Sequence, residues 1–153
     1  RSPACQRNHV RHRIPRRGFM NVWQLEVGDS LPNSFSLGPI SRSDIVRYQG
    51  ASGDFQPVHH DEEFARRAGY DAPLVVGMYP AGAISLWAAE LFGPESVRQT
   101  AFRFSAMVWP GDTLKSEGQL TSRDGAKREI DLRLTNQQGE CVLTCRMTFE
   151  REA

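Results

Sequence analysis

Tyr48-Gln-Gly-Ala-Ser-Gly-Asp54-Phe-Gln-Pro-Val-His59-His60-Asp61 opens the stretch that decides how this chain is read, and Gly77-Met78 through Ser85 closes it. The order is a turn, a short acidic-capped helix, a loop and a longer apolar helix. Ser52-Gly53-Asp54 and Gln56-Pro57 punctuate the loop, because glycine permits unusual φ and proline steers Gln56 away from the α region. A loop carrying Asp54 and His59 five residues apart can aim both side chains at one small volume. Asp61 is a good N-cap for a helix through Glu62, Glu63, Phe64 and Ala65 that ends at Gly69. Its two glutamates suit the positive end of the helix dipole. After Pro73, Leu74-Val75-Val76 leads into Gly77 and a second helix start.

Downstream, Pro80 to Leu91 predicts that second helix, with Gly93 as its stop and Ala81, Ile84, Ala88 and Leu91 on one face. Ala81, Gly82, Ala83, Ala88 and Ala89 are small enough for another backbone to approach closely. With Leu86 and Trp87 the helix is apolar around most of its girth, which predicts a sheet wrapped about it. Thr100 to Val108 alternates, with Phe102, Phe104, Ala106 and Val108 on one side. Thr113 to Thr121 and Arg128 to Thr135 flank an Arg123-Asp124-Gly125 turn as a hairpin, and Glu140 to Arg151 is a last strand after Asn136-Gln-Gln-Gly139. Upstream, Leu31 to Leu37 reads as a short strand. Ser41 caps a short helix through Ile45, Val46 and Tyr48, with Asp44 in the capping-box position. Antiparallel strands around one buried helix indicate an α+β fold.

Composition narrows the classes. A chain of 153 residues, 39% hydrophobic and 24% charged, suits one soluble globular domain. The longest apolar candidate, residues 78–92, is interrupted by Pro80, Ser85 and Glu90 and falls short of the ~20 residues a membrane span needs. The formal charge of +1 hides an asymmetry: residues 1–19 hold six arginines and no acid, while residues 20–153 carry 13 basic and 18 acidic residues. That acidic body argues against nucleic-acid binding by a general electrostatic footprint. Residues 1–19, with Pro3, Pro15 and Gly18, read as a disordered basic arm, and Met20 as a plausible natural start of a domain over 20–153. Of three cysteines, Cys141 and Cys145 share a strand face with Leu143, Met147 and Phe149, too far apart to bridge. Buried thiols in a reducing cytoplasm are the plain explanation.

An acid, a histidine and a helix N-terminus approached through glycine are the parts needed to add water across a polarised double bond. Ser-Gly-Asp54-Phe-Gln-Pro57-Val-His59-His-Asp61 followed by Val-Gly77-Met78 resembles the hydratase motif of the MaoC-like, (R)-specific enoyl-CoA hydratases of the hot-dog fold. That motif runs roughly Gly/Ser-Asp-x-Asn-Pro-x-His-x-Asp and later His-Gly-Met. The resemblance extends from about residue 40 to the C-terminus, with two departures: Gln56 stands for the usual Asn, and Val76 for the usual His. It implies a curved antiparallel sheet wrapped around a central α-helix, a dimer, and acyl-CoA bound near the subunit interface. The partner is an identical chain or a paralogue.

The resemblance implies that Asp54 and His59 hold one water and make the proton transfers, with their order as base left open. Gly77 is the expected oxyanion donor, its N–H unobstructed and backed by the helix dipole. Ser85 is carried over as a residue supporting the acid. Gln56, Val76, Met78 and Tyr79 are the expected substrate contacts, and Val76 with Tyr79 points to a substrate other than short linear crotonyl-CoA. No metal or redox cofactor is expected. Taken alone, Asp-x-x-x-x-His is more often a capped loop, the Asp in an Asx-turn and the His on a backbone carbonyl. Pro57, Asp61 and Gly77-Met78 in register favour the catalytic reading. His60 is expected to face solvent or to be structural, a metal at His59-His60-Asp61 lacks the spacing, and Trp87, Phe102 and Phe104 are expected core. The alternatives are a 3-hydroxyacyl-carrier-protein dehydratase and a non-catalytic acyl-CoA-binding module that supports an active paralogue. A thioesterase would need a differently placed acid.

Overall fold

The apolar girth of residues 78–92 forms helix α3, Met78–Phe92, and the sheet closes on it. Pro80, Ala81, Ile84, Trp87, Ala88, Ala89 and Phe92 are buried along it, whereas Met78, Gly82, Leu86 and Glu90 form an exposed stripe, so the helix is apolar beyond the face that the protein covers. In the computed structural model, which describes residues 21–151, the other elements are β1 (Ser36–Leu37), α1 (Arg42–Ser52), α2 (Glu62–Arg67), β2 (Val97–Phe104), β3 (Leu114–Asp124), β4 (Lys127–Thr135) and β5 (Cys141–Glu150). The expected arm over residues 1–19 lies outside the described residues.

The five strands make one antiparallel sheet in the order β1-β3-β4-β5-β2. Register puts Leu120, Ile130 and Met147 in one row, Leu132, Cys145 and Phe102 in the next, and Leu134, Leu143 and Phe104 in a third. All but the two phenylalanines are 2% exposed or less, and each buried aliphatic stabilises the fold by about 1.5–3 kcal/mol. Register shifts at Val97/Gln99, Leu120/Ser122 and Leu134/Thr135 add local twist and bend the strands. Gly125, at φ 48°, opens the two-residue turn between Asp124 and Lys127, a conformation a branched residue would resist. Upstream of β1, Trp23 joins the domain: its indole donates to the Phe92 carbonyl at 3.1 Å, and Arg128 donates to the Trp23 carbonyl at 2.8 Å.

Four expectations are corrected here. The strand expected over Leu31 to Leu37 survives only as β1 and an isolated bridge from Ser30 to Gln119, because Pro32 has no N–H to donate and Asn33 turns the chain at φ 59°. The strand expected from Thr100 to Val108 is β2, which begins three residues earlier and stops at Phe104, and Val108 then accepts from the N–H of Val75. Phe104, expected in the core, is 51% exposed at that strand end, while Phe102 packs partly buried against the core. The central helix α3 starts at Met78 rather than Pro80, with Gly93 at its C-cap as expected. Among the described residues no helix is long and apolar enough to cross a membrane.

Candidate active site

The loop between α1 and α2 is built by its caps. Ser41 and Asp44 form the capping box of α1: the Asp44 N–H donates to Ser41 Oγ at 3.2 Å, and the Ser41 N–H donates to Asp44 Oδ2 at 2.9 Å. The Ser41 hydroxyl also donates to Asp44 Oδ2 at 2.6 Å, and this bond, with that of the Ser41 N–H, holds the Asp44 carboxyl below the usual carboxylate range. Gly53 ends the helix in the left-handed region at φ 75° and turns the chain into Asp54. Pro57–His59 then makes one 3₁₀ turn, and Asp61 caps α2 by accepting from the Phe64 N–H at 2.9 Å.

Asp54 and His59 are brought together. Asp54 Oδ2 lies 4.0 Å from His59 Nε2, with the His59 side chain 13% exposed and that of Asp54 44% exposed. Each is also fixed from behind. Asp54 Oδ1 accepts from the Gln56 N–H at 3.2 Å, an Asx-turn, and His59 Nδ1 lies 3.0 Å from the Leu74 carbonyl. A carbonyl can only accept, so Nδ1 carries the proton, and a neutral His59 turns the lone pair of Nε2 toward Asp54. The bonds of an ordinary capped loop are therefore present, and they leave one atom of each residue to face the other. The gap matches a single bridging water, which reaches two partners at about 2.8 Å each.

Gly77 follows Leu74 by three residues and begins α3 with helical angles, φ −57° and ψ −34°. Its N–H makes no hydrogen bond among the described residues. A Cβ at Gly77 would stand 3.3 Å from Cε1 of Phe104, so that aromatic ring walls the glycine. Sequence reading missed Phe104 here, because alternation continues past it to Val108 and gives no local sign that the strand ends at Phe104.

The remaining expected residues differ in exposure and in partners. Ser85 makes no hydrogen bond to Asp54 or His59 among the described residues: its hydroxyl donates to the Ala81 carbonyl at 2.7 Å. Its other neighbour is Cys145, whose thiol burial pushes up to about 12 against the opposing pull of the Ser85 bond. Gln56 is exposed and Met78 is 46% exposed, while Val76 is 3% exposed and packs in the core. Tyr79 is half-buried with its ring 5.4 Å from that of Tyr48, and burial raises its phenol above the ordinary value. His60 is exposed, as expected, and bonds to Gln49. A cavity of about 1080 Å³ lies elsewhere, lined among others by Leu31, Trp87, Phe102 and Cys145, and touches neither Asp54 nor His59. Among the described residues no three His, Cys, Asp or Glu side chains converge as a metal site.

The family model described as MaoC like domain matches residues 32–140. The (R)-specific enoyl-CoA hydratase of Rhodospirillum rubrum is 30% identical over 116 residues, 74% of this chain and 77% of that protein. The probable enoyl-CoA hydratase 2 of Dictyostelium discoideum is 30% identical over 92 residues, which is 58% of this chain and 31% of that longer protein. Among solved structures, the unliganded R-hydratase PhaJ1 of Pseudomonas aeruginosa superposes with a TM-score of 0.73 at 26% identity, covering 82% of this chain and 81% of that one. The ChsH1–ChsH2 complex of Mycobacterium tuberculosis gives 0.74 at 23% identity, covering 83% and 98%, a likeness of fold.

Proposed function

The chain belongs to the MaoC-like domain family, and we propose that it adds water across the double bond of a 2-enoyl thioester to give the 3-hydroxyacyl thioester, or runs the reverse dehydration. The observation that carries this reading is the 4.0 Å approach of Asp54 Oδ2 to His59 Nε2, each oriented by its own backbone bond.

Water held between the two groups attacks C3 of the enoyl chain as one of them takes its proton. The C2 carbon receives a proton from the same side, so water is added whole and no oxidation state changes. For that reason no redox group or metal enters the proposal. Charge that develops on the thioester oxygen is met by the Gly77 N–H and by the positive end of α3, donors that need no reorganisation as the reaction proceeds. Gln56, Met78 and Tyr79 are the proposed substrate contacts at the rim. Val76, packed in the core, acts through the shape of the backbone leading to Gly77.

The thioester is that of CoA or of an acyl carrier protein. The proposed assembly is a dimer with an identical or related hot-dog chain. The outer edge of β2 has no strand partner among the described residues, and Phe104 stands exposed beside it. The substrate expected from Val76 and Tyr79 is not short linear crotonyl-CoA; equal kcat/KM on that and on branched or ring-bearing enoyl-CoAs would count against the expectation.

The test is loss of enoyl-thioester absorbance with purified protein across short, long and bulky substrates, beside folded Asp54→Asn and His59→Ala variants. Turnover that both variants abolish supports the reading. Turnover unchanged in both would overturn it. Activity that appears only on adding a paralogous chain would make this protein half of a heteromer, and silence under every pairing would leave acyl-CoA binding as its role.

A further inference from the structure

We propose that Gln49 is a positioning residue for this site, its buried side-chain amide clamping Asp54 and the 59–60 turn to the same helix. The proposal rests on the hydration reading above. Gln49 lies in the third turn of α1, four residues after Ile45 and on the same buried face, and is only 2% exposed. A glutamine there must satisfy its polar atoms internally, since an unpaired buried donor costs about 1–3 kcal/mol. Its nitrogen does so twice. Nε2 lies 2.9 Å from the Asp54 carbonyl oxygen and 3.1 Å from His60 Nδ1.

The two bonds fix each other's chemistry. The Asp54 carbonyl can only accept, so the nitrogen end of the amide faces it. That nitrogen can only donate, so His60 Nδ1 is the acceptor and the proton of the neutral His60 ring sits on Nε2. Gln49 also closes the loop from its own backbone, whose carbonyl accepts from the Gly53 N–H at 2.9 Å. One residue thus holds the main chain of Asp54 and the residue directly after His59. The segment between them is shaped locally by the Asp54 Asx-turn and the 57–59 turn, and the Gln49 amide ties both of its ends to α1. Releasing the amide lets Asp54 move relative to His59, and a displacement of about 1 Å at a reacting group can cost on the order of 100-fold in rate.

Gln49→Met keeps length and apolar bulk and removes both donors. With Tm and circular dichroism of wild type, the expected result is a drop of about 10- to 100-fold in kcat with a smaller change in KM, because of the proposed substrate contacts only Gln56 lies in the clamped loop. His60→Ala, at an exposed position that leaves folding intact, is expected to lower kcat in the wild-type background and to add nothing further to Gln49→Met. A wild-type kcat in Gln49→Met, or fully multiplicative losses in the double variant, would overturn the proposal. So would a kcat loss that tracks an equal loss of folded protein. Independently of activity, side-chain ¹⁵N NMR of His60 is expected to show an unprotonated Nδ1 in wild type and a tautomer mixture in Gln49→Met; an Nδ1–H tautomer in wild type would overturn the clamp. If wild type hydrates no enoyl thioester while the NMR result holds, the hydration reading has failed and the clamp has not.

Discussion

His59 Nε2 faces Asp54 Oδ2 across 4.0 Å, and the Leu74 carbonyl behind the imidazole decides which ring nitrogen does the facing. The separation is too wide for a direct hydrogen bond and fits one shared water. Two groups acting on one water behave as a unit, so their losses should not multiply. Asp54→Asn and His59→Gln are each expected to lower kcat/KM by about 10²–10⁴-fold, and the double variant no further than the worse single. Steady-state hydration kinetics check this; multiplicative losses would mean the two residues act in separate steps.

Gly77 and Phe104 make a second pair with a kinetic consequence. The helical angles at Gly77 suit alanine, but a methyl there meets the Phe104 ring at 3.3 Å. Gly77→Ala keeps the N–H and crowds its approach, so kcat/KM should fall by less than the ~10²-fold that follows loss of an oxyanion donor. Phe104→Leu in the same chain should recover part of the loss, since Phe104 is half exposed and can be trimmed without opening the core. Unchanged kcat/KM in Gly77→Ala would remove the glycine from the oxyanion site.

Acid stability should report on the α1 cap. Hydrogen bonds from Ser41 hold the Asp44 carboxyl below its ordinary 3.8, so its contribution is present above that pH and is lost as pH falls through the lower folded value. Ser41→Ala is expected to cost about 1 kcal/mol at neutral pH and less once Asp44 is protonated. Urea melts at neutral and strongly acidic pH measure the difference, and an equal cost at both would dissociate Asp44 from the cap.

Cys145 makes the opposite prediction at high pH. Burial lifts its thiol from 9.0 to about 12, so between these values the unfolded chain ionises while the folded one keeps its proton. Stability should therefore fall as pH rises through that window. Cys145→Ala should flatten the slope, and the native thiol should resist alkylation at pH 8 relative to the half-exposed Cys141. Equal alkylation of the two would show that β5 opens far more readily than its packing implies.

The Ser41–Asp44 box, the Asp61 cap, the Gly93 stop and the β3–β4 hairpin were legible in the chain because each depends on residues within a few positions of one another. The Asx-turn at Asp54 is equally local, though the chain read alone offers it as the alternative to a catalytic role, and α3 begins two residues before the Pro80 start that the sequence predicts. The strand ends were less legible: alternation continued past Phe104, but pairing with β5 ran out at Leu143, and pairing is a property of two segments.

Local sequence by itself determined the caps, the apolar girth of α3, the antiparallel strands and the presence of an acid and a histidine in one constrained loop. Only the tertiary structure decided that the Leu74 carbonyl, fifteen residues from His59, orients its ring, that Phe104 walls Gly77, that Ser85 turns to Ala81 and Cys145, and that Gln49 binds two sides of one loop. The physical reason is range: caps and turns are satisfied by neighbours in the chain, whereas a buried side chain takes its partner from whichever segment packing brings within hydrogen-bond distance.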